Sequence, residues 1–323
     1  MNKKSKAILF VALAASAVLA PQQTQAQSYP VRPIRFIVPY PPGGGSDLVA
    51  RVLAPGLTTN LGQQVVIDNR SGAQGGVGTA VAAKATPDGY TILLFVGALV
   101  VNPWLYKDVA FDPVKDFSYI SLVTSQPPLA AVYPQLAAAN LKELAALAVA
   151  KPNIISFGYG SVSGQLTGEL FKQLTGTQLL GVPYKGAGPA IFDVASGRVD
   201  LVFASPPSSI PLIKAGKLRG LAVIGPKRLA ALPDVLSSRE SGFPEFEVDA
   251  WYAIAAPANT PKQIVTRLNT EIKRVLQMPS VTDVLLGEGL EARTNSPEEM
   301  ANYARSEYVR WGKIVKAAGL KPE

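Results

Sequence analysis

Neither cysteine nor histidine occurs anywhere in the 323 residues of this chain. Without cysteine there is no disulfide framework, no thiolate nucleophile and no attachment point for a lipid at the N-terminus. Without either residue, a structural zinc site, a Ser-His-Asp triad and a Cys-His dyad are excluded. Histidine is also the commonest general acid or base, so catalysis would have to rest on Asp, Glu, Lys or Tyr. Long basic runs are missing too. The formal charge of +8 comes from scattered Lys and Arg, so nucleic acid is not an expected partner, although a mild positive field suits small anions.

The first residues read as a targeting segment. Lys3, Lys4 and Lys6 precede an apolar run over 7–20, followed by Pro21 and small residues at Thr24 and Ala26. That is the layout of a secretory signal peptide, residues 1–26, cleaved after Ala26; the run is too short for a permanent membrane anchor. No later stretch is both long and apolar enough for a membrane helix. The mature chain is expected in the periplasm. Its length, about 297 residues, is natural for two lobes rather than one small core.

The mature chain is organised around Phe36-Ile37-Val38-Pro39-Tyr40-Pro41-Pro42-Gly43-Gly44-Gly45-Ser46-Asp47. A β-branched apolar run predicts a buried strand, the Pro/Gly stretch a loop, and Ser46 or Asp47 the cap of a helix over 48–60. Glycines let a ligand approach the backbone, and a helix start offers unpaired N–H groups with partial positive charge, so the loop suits a carboxylate. An ordinary β–α turn fits the same residues. No Gly-Lys-Ser/Thr follows and Gly-x-Gly-x-x-Gly is incomplete, so neither a P-loop nor a dinucleotide site is expected. Asp47 reads as a first-turn helix residue rather than a ligand contact.

Strand and helix signals alternate along the chain. Strands are expected at 34–38, 64–68, 91–96, 129–133, 154–157, 199–203 and 218–224, and helices at 48–60, 77–84, 141–150, 164–174, 189–196 and 210–215. Long Pro-initiated helices are expected at 261–278 and 297–318. Alternation argues for doubly wound α/β lobes with parallel strands. Chain crossings are placed near 124–128 and 243–250, giving lobe one as 27–125 plus 250–323 and lobe two as 126–249, with a hinge between them.

Several further junctions are candidate ligand loops. Residues 68–78 form a second Gly-rich loop, better read as an ordinary strand-to-helix connection. Phe95-Val96-Gly97-Ala98 lies at a strand's carboxyl end, where open α/β sheets bind ligands. In lobe two, Gly160-Ser161-Val162-Ser163-Gly164 and Ala204-Ser205-Pro206 repeat the strand, small-residue loop, helix pattern. Gly-x-Ser-x-Gly is absent and the mature chain has no Ser-x-x-Lys, which argues against a serine enzyme. Tyr184 and Lys185 suit an organic anion, and equally a hinge tyrosine with a solvated lysine.

The residues then carry a resemblance. Tyr29-Pro30 and the run from Pro33 to Pro39, the Pro-Gly-Gly-Gly-Ser-Asp loop, Asn69-Arg70, Gly75-Gly76 and Pro87-Asp88-Gly89-Tyr90-Thr91 are joined by Asn102-Pro103, Pro183-Tyr184-Lys185-Gly186, Gly216-Lys217-Leu218-Arg219, Leu232-Pro233-Asp234-Val235 and Thr260-Pro261. In this order they resemble the Bug proteins (Bordetella uptake gene family), extracytoplasmic solute receptors related to those of tripartite tricarboxylate transporters. The resemblance runs from about Tyr29 to the C-terminus. It implies a two-lobed periplasmic-binding-protein (Venus-flytrap) fold, each lobe a mixed sheet flanked by helices, with a small carboxylic acid in the interlobe cleft. It also implies membrane transporter subunits as partners, a monomer, no cofactor and no enzymatic activity. The contacts it implies are Tyr40, Gly44, Ser46 and Ala98 from lobe one, and Ser161, Ser163, Thr167, Tyr184 and Ser205 from lobe two.

This chain departs from the family in two ways. Histidines common in the family near 166–167 and 181–182 are replaced by Leu166, Thr167, Gly181 and Val182, and the common Asp-Asn pair by Ala204-Ser205. Losing that acid disfavours an amino-acid ligand and favours a dicarboxylate or an aromatic acid. Two other readings stay open: a sensory flytrap with a signalling partner, and a hydrolase or lyase using Asp, Lys or Tyr.

Overall fold

The apolar runs assemble into two sheets, and the chain passes between them twice. The computed structural model describes residues 29–184, 186–320 and 322; the expected signal segment and Lys185 lie outside the described residues. Residues 32–323 form one compact unit.

The first sheet has six strands in the order β11-β4-β10-β3-β1-β2. Its parallel part is β1 (Ile34–Val38), β2 (Val65–Asn69) and β3 (Thr91–Val96), connected by helices α1 (Gly45–Leu61) and α2 (Gly76–Ala83). Helix α3 (Asn102–Leu105) leads to β4 (Phe117–Gln126). The second sheet has five strands, in the order β7-β6-β8-β5-β9. Along the chain these are β5 (Leu129–Val132), α4 (Leu141–Ala150), β6 (Ser156–Tyr159), α5 (Val162–Thr175), β7 (Leu180–Pro183), α6 (Ala187–Ala195), β8 (Leu201–Ala204), α7 (Pro206–Lys214) and β9 (Arg219–Val223). The chain then returns to the first sheet through β10 (Ala250–Pro257), α8 (Lys262–Leu276), α9 (Pro279–Gly287), β11 (Glu291–Ala292) and α10 (Pro297–Ala317).

Both long C-terminal helices start where the sequence places a proline. Pro261 precedes α8, whose buried Val265, Leu268, Ile272 and Val275 recur at helical spacing. Ser296 and Glu299 form a reciprocal capping box at the start of α10, with Pro297 in the first turn.

Three expectations need correction. Strand β5, read as parallel, is antiparallel to both β8 and β9. The cause is topological: β4 ends at the cleft and only Pro127 and Pro128 separate it from β5, so β5 leaves the cleft while β6 and β8 run toward it. Strands β4 and β10 were not expected as strands, yet they are the longest in the molecule, and every residue of β4 except Ser118 is buried. Ser121, Thr124, Ser125 and Gln126 hide it from a hydropathy reading, because their polar groups are buried within the structure. Helix α1 starts at Gly45, three residues earlier than read. Gly44 is its N-cap, without a side-chain cap bond, and Ser46 and Asp47 sit within the first turn.

The returning strand anchors an aromatic cluster. Trp251 stacks on Phe95 at 5.9 Å between ring centroids and 10° between planes, and Phe95 meets Phe117 and Tyr119 edge-on. Burying rings of this size contributes roughly 1.5–3 kcal/mol each.

Candidate ligand-binding cleft

Each sheet contains the same local topology. In the first, β1 runs through α1 to β2 on one side, while β3 lies on the other; in the second, β6 runs through α5 to β7, while β8 lies opposite. Connections from neighbouring strands therefore diverge between β1 and β3 and between β6 and β8. At such switch points the loops separate at the strands' carboxyl ends and leave a crevice. The two crevices open into one cleft of about 1040 Å³.

The first wall carries Tyr40, residues 41–46, residues 71–75 and Ala98; the second carries residues 160–164, Gly186 and Ser205. Helices α1, α5, α6 and α7 all begin at or beside this cleft; α1, α5 and α6 bring free N–H groups and positive dipole ends there, whereas α7 opens on Pro206 and Pro207, which have no N–H, and offers its dipole end and the Ser205 hydroxyl. No Lys or Arg lines the cleft among the described residues, and Asp249 is the one carboxylate. An anion bound here would be held by amides and hydroxyls.

Seven of the residues expected from sequence border the cleft: Tyr40, Gly44, Ser46, Ala98, Ser161, Ser163 and Ser205. Ser161 caps α5, its Oγ accepting the Gly164 N–H at 3.2 Å. Ser205 precedes α7 and shares a 2.8 Å hydroxyl contact with Ser208. The other two do not border it. Thr167 is fully buried, and its hydroxyl donates to the Ser163 carbonyl at 2.7 Å. Tyr184 donates to Asp193 Oδ2 at 2.8 Å. Thr167 thus bonds within its own helix, and Tyr184 is tied to α6.

Asp47 is likewise structural. Its carboxylate accepts from Gly43 N–H, Arg51 Nε and Asn69 Nδ2, so it holds the glycine loop without lining the cleft. On the second wall, Gly160 passes against residues 186–187 so closely that a Cβ there would lie 1.9 Å from the Gly186 carbonyl carbon. Only glycine permits that approach.

The structure adds residues that the sequence reading did not select. Loop 71–75, read as an ordinary connection, borders the cleft, and its Ala73 and Gln74 both take left-handed backbone angles. Gln126, Val248, Asp249, Trp251 and Tyr252 border it from the crossing segments. Their signal was present: polar residues interrupt the apolar runs at both crossings. Burial raises the Tyr252 phenol to about 12, with the Gln126 amide opposing, and it raises the Tyr40 phenol further. Both hydroxyls therefore stay protonated at neutral pH. Burial also raises the Asp249 carboxyl, against the pull of Arg293.

Comparison with known proteins agrees with this architecture. The tripartite tricarboxylate transporter family receptor pattern matches residues 49–320. The chain is 35% identical over 319 residues to protein BugT of Bordetella pertussis, covering 98% of this chain and 97% of that one. Among solved structures, an R. palustris protein with adipate superposes with a TM-score of 0.83 at 35% identity, covering 91% of this chain and all of that one (100%). The periplasmic binding protein BugD gives 0.80 at 33%, with 91% and 100% covered. MatC from Rhodopseudomonas palustris with bound malate gives 0.78 at 29%, with 89% and 100% covered. Two mixed sheets, loops converging at paired switch points and a match along nearly the whole chain lead to one conclusion: this chain belongs to the tripartite tricarboxylate transporter receptor family, the family of the Bug solute-binding proteins.

Proposed function

We propose that the protein is a periplasmic solute-binding receptor, not an enzyme, that captures a small dicarboxylate between its lobes and presents it to a membrane transporter. The observation that carries this reading is the convergence of four helix starts on a cleft without a cationic side chain among the described residues. Fixed amides offset the hydration a carboxylate loses on entry, because their orientation is set beforehand. One carboxylate sits at the α1 start with Tyr40, Gly44, Ser46 and Ala98. The other sits at the α5 and α7 starts with Ser161, Ser163 and Ser205.

The adipate and malate of the solved relatives favour a dicarboxylate over an aromatic acid. The lobes are taken as 27–125 plus 250–323 and 126–249. Ligand that touches both stabilises the closed form, and that form is what a membrane partner distinguishes. Residues 1–26 act as the export signal.

A thermal-shift screen of the mature protein against mono-, di- and tricarboxylates, aromatic acids and amino acids tests this. A ligand that binds only the folded form raises the melting temperature once its concentration exceeds Kd. Concentration-dependent shifts with dicarboxylates are expected. A panel in which only amino acids or aromatic acids shift it, or no acid does, would overturn the reading.

A further inference from the structure

The donors on the cleft walls suit carboxylates, yet the floor between them carries an acid. Asp249 lies at the second crossing, just before β10, whose first residue Ala250 is in register with Gln126 at the end of β4. It is half-buried and borders the cleft, where it is the one carboxylate among the described residues. Its Oδ2 accepts from the Tyr303 hydroxyl at 3.3 Å.

The groups around Asp249 do not neutralise it. Arg293, which follows β11, pairs with Glu291 at 2.9 Å. On α10, Arg310 pairs with Glu307 at 3.2 Å, and burial raises the Tyr303 phenol, so that group stays uncharged. Glu247, two residues before Asp249, pairs with Arg239. Asp249, Glu291 and Glu307 therefore face only Arg293 and Arg310, which leaves a negative charge over. Burial raises the Asp249 carboxyl, Glu307 adds to the rise and Arg293 opposes it, as expected of an acid short of a counter-charge.

Walls and floor thus differ in what they do to charge. Helix starts on the walls offset the charge of a ligand's end carboxylates. A dicarboxylate anchored at both ends would set its middle carbons over the crossing segments, where Asp249 stands and no helix starts. Uncharged carbons lose nothing there. A third carboxylate would meet a like charge, with no cationic side chain bordering the cleft among the described residues. That repulsion acts through space in a site partly shielded from water, so it needs no direct contact. We infer that Asp249 is a specificity determinant that limits the charge of the ligand, admitting dicarboxylates with uncharged middle carbons and rejecting acids that carry a further carboxylate on them. The inference rests on the dicarboxylate reading above.

Calorimetry on the mature protein at pH ~8, where these acids are fully ionised, tests it. The ligands are succinate, glutarate and adipate, each beside its analogues with a carboxyl, methyl or amino group on an inner carbon. Every parent that binds is expected to bind about tenfold or more tightly than its tricarboxylate. The methyl analogue should stay closer to the parent than to the tricarboxylate, which separates charge from bulk. Asp249→Asn keeps the side chain's size and an acceptor for Tyr303, and should bring parent and tricarboxylate within about threefold, chiefly by strengthening the tricarboxylate. Asp249→Ala serves the same purpose if Asp249→Asn does not fold. Glu245→Gln removes an exposed acid elsewhere and should retain the preference, because local rather than net charge decides it. Equal binding of parent and tricarboxylate by the wild-type protein overturns this assignment alone. So does an undiminished gap in Asp249→Asn, a gap that Glu245→Gln closes as well, or a methyl analogue rejected as strongly as the tricarboxylate. Tightest binding of the amino analogue overturns it too, since Asp249 would then serve an ammonium. If none of the three parents binds, the dicarboxylate reading falls, and this assignment with it.

Discussion

The Asp47 carboxylate accepts the Gly43 backbone N–H at 2.9 Å, and so fastens the glycine loop to the first turn of the helix it precedes. Arg51 Nε at 2.8 Å and Asn69 Nδ2 at 3.1 Å complete the group. One buried side chain therefore joins loop, helix and the neighbouring strand β2. The loop's shape is set before any ligand arrives.

Asp47→Asn should cost about 1–3 kcal/mol of stability at neutral pH, because it removes the charged acceptor from three donors. Burial raises the Asp47 carboxyl, but hydrogen bonds from Arg51, Gly43 and Asn69 outweigh it and hold the group below its ordinary value. A lowered folded value means that the stabilisation is present above the unfolded aspartate range and is lost as pH falls through the folded value. Urea unfolding of both proteins at neutral pH and near pH ~2 checks this. The gap between them should narrow in acid, and a constant gap would remove the linkage.

Ser161→Ala and Ser205→Ala should each weaken ligand binding by roughly 1–2 kcal/mol if their hydroxyls meet the bound charge. They should differ in stability. Ser161 also caps α5, and losing a cap costs about 1 kcal/mol, whereas Ser205 makes no such cap. Calorimetry paired with thermal melts separates the two effects; unchanged affinity in both variants would exclude the second wall from recognition.

Gly160→Ala introduces a Cβ 1.9 Å from backbone atoms of Gly186. Overpacking typically costs about 1–3 kcal/mol, and more where backbone must move. The loops before α5 and α6 should separate, with a lower melting temperature and a loss of affinity of tenfold or so. A variant with wild-type melting and binding would show that this close approach is dispensable.

Tyr184→Phe should leave affinity unchanged within about twofold while lowering stability by about 1 kcal/mol. The phenol donates to Asp193, which also pairs with Arg198 at 2.9 Å, and it does not border the cleft. A tenfold loss of affinity with no change in melting would return Tyr184 to the binding surface.

By itself, the sequence determined much of the fold and part of the site. β1 and β3 occupy the ranges read from their apolar runs, and Ser296 and Pro297 start the last helix as their chemistry requires. The loops after β1, β3, β6 and β8 were legible because glycine, serine and a following helix pattern are local signals. Tertiary structure decided the rest. β4 carries Ser121, Thr124, Ser125 and Gln126 into buried positions, so no hydropathy pattern reveals it as a strand, and only the fold pairs it with β10 where the chain crosses between the sheets. The family resemblance included Thr167, and the local Gly/Ser signal left out Gln126. Thr167 turns back onto its own helix, and Gln126 reaches the cleft only because two distant strands pair beneath it. A strand-to-helix loop is chosen by neighbours in sequence, whereas the floor of a cleft is chosen by which segments cross there.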